Sequence, residues 1–276
     1  MLVRTWGIIK RGYYDFSSTK LGSIMDSKDN VDIVAIGAHP DDTEIGVGGT
    51  LAKFARQGIR TGIIDLTNAE PTPLNDKYRS PEDFDPDYAE RRIQESKRAA
   101  EILGISRKTL DLPNRRLMDN FEARCSLATV FREWKPKIVI VILGRTVMAS
   151  PDHYQAQLIT EAAVFYSRLT KWEKFFSGLP VHRIRNLLYY PVRSATVNMH
   201  PEGYTSFFID VSEVIDLKRR ALESYSSQFQ EQGHGDFIDL VVENNKALGN
   251  RVGAKYAEHL CSPFPIKIND LLTFFG

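Results

Sequence analysis

The stretch VDIVAIGAHPDDTEIGVGGTLAKF, residues 31 to 54, decides the reading of this chain. Its first seven residues form a short apolar run rich in β-branched side chains and closed by Gly37. That pattern predicts a strand buried on both faces. Directly behind it come His39, Asp41, Asp42 and Glu44, followed by Gly46, Gly48 and Gly49. Thr50 or one of these glycines can open a helix that Gly58 stops. The glycines are expected to let the backbone fold tightly back beneath the acidic turn.

The same alternation continues downstream. Residues 59–67 read as a strand and 68–87, with four prolines and many charges, as a long loop of the kind that forms lids or binding walls. A helix is expected over 88–104, a strand over 108–113 and a helix over 121–136. The continuous apolar run KIVIVIL, 137–143, predicts a central parallel strand, and 153–169 a helix. Strand–helix alternation with right-handed crossovers makes an α/β fold: a doubly wound, mostly parallel Rossmann-like sheet with helices on both faces. Two further strands (185–192, 205–212) and two helices (near 213–227 and 236–259) complete it. The expected organisation is an N-terminal extension, 1–30, followed by one domain, 31–276.

Bulk properties exclude several classes. Thirty-six basic and 35 acidic side chains leave a net charge of +1, so no global field favours nucleic acid or an anionic membrane. Lys and Arg are spread along the chain, without a dense basic block. No run of uncharged apolar residues is long enough for a membrane span. The N-terminus makes a poor signal peptide. Cys125 and Cys261, both in apolar surroundings, read as buried thiols. A reducing cytoplasm is the expected setting, and a homo-oligomer is left open.

In an open α/β sheet, ligands bind beyond the carboxyl ends of the strands. The G-x-G-x-x-G spacing of a dinucleotide loop is missing here, and three carboxylates would repel a pyrophosphate. A cation suits them better. His39 and Asp42, three apart in a tight turn, can address one ion, and SPDH, 150–153, supplies His153 from behind the other central strand. Three protein ligands leave one position for water, as at catalytic zinc. Asp41 then remains as a free carboxylate where a general base is needed. His200, after an apolar segment, could also reach the site; Tyr78 or Tyr204 could stack on a ligand ring.

These residues resemble a family. AHPDDTEIGVGGTLAKF closely resembles the first motif of the PIG-L/LmbE-like zinc deacetylases, which remove acetyl groups from N-acetylglucosaminyl compounds. LTNAEP, RIQESKRAAEILGI, SPDHYQAQLITEAA, FFIDVSEVIDLKRRALESYSSQF and KYAEHL resemble later segments, so the likeness runs over roughly residues 31–265. The last two look most like the bacillithiol-type branch, which acts on N-acetylglucosaminyl malate. The resemblance implies His39, Asp42 and His153 as metal ligands, Zn²⁺ or Fe²⁺ as cofactor, and Asp41 as catalytic base. It implies an acetamido-sugar substrate, with Arg92 in contact with it. Spacing alone allows Arg92 to be a solvated helix-face charge instead. Asp152 is placed to hold an active-site histidine from behind. One departure stands out: the family reads His-Pro-Asp-His where this chain reads Ser-Pro-Asp-His. Ser150 therefore replaces a histidine that helps stabilise the oxyanion. Two other readings stay open: a weakened or non-catalytic relative that binds a glycan or metal, and a nucleotide-binding protein.

Overall fold

The structure, a computed structural model, describes residues 30–69, 87–146, 149–191, 203–231 and 233–269. The N-terminal extension, most of the proline-rich loop, Tyr78 and His200 lie outside these.

Among the described residues, seven strands form one sheet in the order β3-β2-β1-β4-β5-β7-β6. β1 (Ile33–Gly37), β2 (Thr61–Thr67), β3 (Ser106–Leu112), β4 (Ile138–Ile142) and β5 (Asn186–Tyr190) are parallel. The sequence IVAIG in β1 has no polar face, and every residue of it is buried. Helices α1 (Asp42–Arg56), α2 (Tyr88–Leu103) and α5 (Ile215–Glu223) pack on one another, while α3 (Phe121–Trp134) packs on α4 (Asp152–Tyr166). The two groups cover the two faces, as a doubly wound sheet requires.

The chain leaves β1 towards β2 on one side and later crosses back to β4 on the other. β1 and β4 then pair in register, from Ile33 opposite Ile138 to Ile36 opposite Val141. Their carboxyl ends lie side by side at the topological switch point, and that pairing positions the site.

Two expectations need correction. The helix predicted over 236–259 is α7 (Asp236–Asn250) followed by a seventh strand, β7 (Ala257–Ser262). β7 runs antiparallel between β5 and β6 (Thr205–Asp210). The chain doubles back over Gly249, where a Cβ would lie 2.7 Å from the Ala254 carbonyl oxygen, and turns at Gly253 with φ +73°. Glu258 and His259 disguised the strand, because both are polar yet almost wholly buried. The other predicted C-terminal helix divides into α5 and the short α6 (Ser226–Phe229).

The second correction concerns the glycines. α1 already starts at Asp42, so Gly46, Gly48 and Gly49 are helical rather than a folded-back turn. Glycine inside a helix costs about 1 kcal/mol relative to alanine, and at Gly46 and Gly49 close packing overrides that cost. The ring of Tyr190 lies on Gly46, where a Cβ would sit 2.2 Å from Cδ2, and Val211 and Glu258 crowd Gly49.

α1 is also broken. Val47, at φ −140° and ψ 17°, is not helical. A break frees a carbonyl on one side and amides on the other, and in the interior these need partners. Lys218, from α5, donates to the Ile45 carbonyl (2.8 Å), while the Glu258 carboxylate accepts from the Gly49 and Thr50 amides (2.9 and 2.6 Å). Lys218 and Glu258 pair at 2.6 Å, both with no exposed side-chain surface. Removing one partner of such a pair costs about 3–5 kcal/mol, because the other is left charged and buried. Lys218→Met is therefore expected to lower the unfolding free energy by about that amount in urea titration. Gly46→Ala is expected to destabilise by about 1–3 kcal/mol through overpacking on Tyr190. In a Tyr190→Leu background the same change should cost much less.

Candidate metal centre

The turn after β1 shapes the first half of the site. The His39 amide donates to Asp42 Oδ2 (2.9 Å), and Asp41 takes φ 111°. Non-glycine residues rarely adopt that conformation, which costs about 1–3 kcal/mol. It opens α1 at Asp42 with no side-chain cap.

The turn after β4 supplies the second half. His153 stands in the first turn of α4, and its Nε2 lies 3.3 Å from Asp42 Oδ1. His39 Nδ1 lies 3.3 Å from Asp42 Oδ2. The far nitrogen of each ring is also held. His39 Nε2 meets Asp152 Oδ2 at 3.2 Å, and His153 Nδ1 meets Thr146 Oγ1 at 2.6 Å. Asp152 is fixed in turn by the Arg115 amide (2.6 Å). One donor atom each from His39, Asp42 and His153 falls within 4.8 Å of the others. Two imidazole nitrogens and one carboxylate oxygen, with both imidazoles oriented from behind, form a donor set that fits a catalytic divalent ion.

Asp41 lies outside this set. Its buried carboxylate accepts from Arg92 Nη2 (3.1 Å), and the same guanidinium donates to the Pro40 carbonyl. Arg92 is 1% exposed and lies over the Tyr225 ring at 4.9 Å, so it is not a solvated helix-face charge. Burial pushes the Asp41 carboxyl up and the Arg92 charge pulls it back, leaving it at about 6. Burial favours neutral His39, but the carboxylates of Asp42 and Asp152 outweigh it and lift the ring to about 9. Asp42 is held well below the usual carboxylate range: the two histidines overcome its burial.

Glu44 is not part of the candidate donor set. It accepts from Arg107 and Tyr225, both at 2.5 Å, while Arg107 also grips Asp65 of β2 through two nitrogens (2.6 and 2.8 Å). Ser150 sits in the turn before α4, where its Oγ accepts from the Asp152 amide (3.3 Å). Tyr204 packs edge-on against Tyr189, with ring centres 5.4 Å apart. Sequence reasoning missed Thr146, the Arg115 amide and the Arg107 network. Only the last left a signal, an arginine inside a strand next to an aspartate-bearing one.

Residues 34–164 match the family model described as PIG-L, GlcNAc-PI de-N-acetylase. Diacetylchitobiose deacetylase of Thermococcus kodakarensis is 31% identical over 203 residues, 72% of this chain and 70% of that protein. The chain belongs to the PIG-L family. A solved structure of a conserved protein from Thermus thermophilus superposes on it with TM-score 0.69 at 31% identity, covering 87% of this chain and 98% of that one. The 4-carboxy-2-hydroxymuconate hydratase GalB of Pseudomonas putida has TM-score 0.71 at 22% identity, covering 87% and 99%. That last likeness concerns the fold alone, since a fold hosts many chemistries.

In this PIG-L protein, a histidine at about 9 is protonated at pH 7 and must lose its proton to ligate. Metal uptake by metal-free protein is therefore expected to release about one proton per site at pH 7. Zn²⁺ affinity is expected to fall with further acidification. Calorimetry in buffers of different ionisation enthalpy reads the proton count directly, and a count of zero would contradict the electrostatics described.

Proposed function

We propose that this PIG-L protein is a metal-dependent hydrolase that removes the N-acetyl group from an acetamido sugar, in a small molecule or a glycoconjugate. His39, Asp42 and His153 would hold Zn²⁺ or Fe²⁺. The observation that carries the reading is Asp41, a buried carboxylate left out of the donor triad yet adjacent to it in the chain. The T. kodakarensis relative, whose name gives its substrate as diacetylchitobiose, supports the sugar.

A bound divalent ion supplies a Lewis acid and lowers the pKa of water at the site. The chain supplies the rest. Asp41 accepts the proton of the attacking water and passes it to the amide nitrogen as the C–N bond breaks, giving free amine and acetate. Arg92 holds Asp41 in its strained conformation and favours its ionised form. Asp152 and Thr146 fix the two imidazoles. The Ser150 hydroxyl can keep its bond from the Asp152 amide and still donate to the carbonyl oxygen of the substrate. Among the described residues no helix is long and apolar enough to cross a membrane, and both described cysteines are free and buried. The free thiols support work in a reducing cytoplasm.

Asp41→Asn should keep its metal and lose about 10²–10⁴ in acetate release from N,N′-diacetylchitobiose or a GlcNAc-inositol. Undiminished release, or none from metal-loaded wild type on a panel of acetamido sugars, would overturn the proposal. A second reading, a weakened family member, rests on Ser150, which brings no positive charge. Under it Ser150→His raises the rate by about 10²–10³; under the first the rate hardly changes.

A further inference from the structure

The segment FYSRLTKWEKFFSGLPVHRIR, residues 165–185, is not part of the metal centre. It begins at the C-terminal end of α4, roughly 20 Å of helix away from His153. It exposes Phe165 (48%), Trp172 (37%), Phe175 (39%) and Val181 (45%), and Met118 (60% exposed) stands three residues before Phe121, whose ring meets Phe175 at 5.3 Å. The His182 amide donates to the Ser167 carbonyl (2.9 Å), which brings Val181 back alongside. Interspersed are five exposed cations, Arg168, Lys171, Lys174, Arg183 and Arg185. None of the five pairs with an acid among the described residues. The one acid in the segment, Glu173, is turned to the Lys171 amide (3.1 Å).

Three kinds of partner could cover such a face, and the geometry separates them. A sugar or a nucleic-acid base stacks on a free, flat ring. Here Arg168 lies over Phe165 (4.6 Å) and Lys174 over Phe175 (4.9 Å), and the rings meet one another at steep angles, 89° between Phe121 and Phe175. Phe165 and Phe175 thus each have a cation over one face, and Trp172 is flanked by Phe121, Tyr166 and Phe175 at 58°, 64° and 50°. A second copy docking through the same patch would set five cations against five like charges. An anionic lipid surface meets both halves of the pattern. Aromatic and aliphatic tips enter the headgroup boundary, and the cations meet lipid phosphates.

We infer that residues 165–185, with Met118, form a peripheral docking face for anionic membranes. It seats the enzyme reversibly on the bilayer, with no segment crossing it. The charge that drives it is local, which is why a net charge of +1 conceals it.

The test is co-sedimentation of the full chain with vesicles of phosphatidylcholine alone and of an equimolar mixture with phosphatidylglycerol. Wild type is expected to pellet with the mixture, weakly with phosphatidylcholine, and to be released by high salt. Trp172→Ala/Phe175→Ala and Arg168→Glu/Lys171→Glu/Lys174→Glu are each expected to cut the bound fraction about ten-fold or more. Thermal midpoint and sugar deacetylation should be unchanged, so a failed assay for hydrolysis leaves this result readable. No pelleting by wild type, or equal pelleting by the variants, overturns the inference. So does a change in solution mass on mutation, which would assign the face to a second copy, or equal binding of a single-stranded oligonucleotide.

Discussion

The in-register parallel pairing of β1 with β4 is the constraint on which the rest depends. It sets the ends of two distant chain segments next to each other, so a histidine and an aspartate from one turn meet a histidine from the other. Neither turn holds a complete ligand set. Asp42 joins them, one carboxylate oxygen towards each imidazole. The site is thus a property of sheet topology more than of either motif.

Much charge is concentrated under that site, and each buried acid is answered differently. Asp42 answers to histidines, Asp41 to Arg92, and Glu44 and Asp65 share Arg107. The result is graded: Asp42 is ionised far below the usual range, while burial raises both Asp41 and Asp65 to about 6. Acids with different environments can take different tasks. Asp41, left near neutrality next to the candidate donor triad, suits the proton carrier proposed above, whereas Asp65 at a similar value is locked in a two-nitrogen grip.

Legibility in the sequence followed from periodicity. Strands that are apolar throughout, such as IVAIG and IVIVI, announced the parallel core, and their ends pointed to the two turns that carry the candidate donors. β7 was hidden because its polar residues are buried for reasons of their own: Glu258 serves a helix break, and His259 stacks on Phe208 at 4.7 Å. The early start of α1 was hidden because proline, two aspartates and three glycines all argue locally for a turn. The Tyr190 ring and the Val211 and Glu258 side chains, all remote in sequence, explain why glycine stands at positions 46 and 49 of a helix. Thr146 gave no warning at all, since a threonine in a loop has no pattern to violate.

The break in α1 carries a lesson about divisibility. All three donors and the free aspartate lie within the stretch that carries the family likeness, residues 34–164. The side chains that close the break, Lys218 and Glu258, come from far beyond it. A fragment trimmed to the motif-bearing half would keep every candidate donor atom while losing the splint that holds the donor-bearing turn to the rest of its own helix. Chemistry and rigidity are written in different halves of this chain, and neither half is a minimal enzyme.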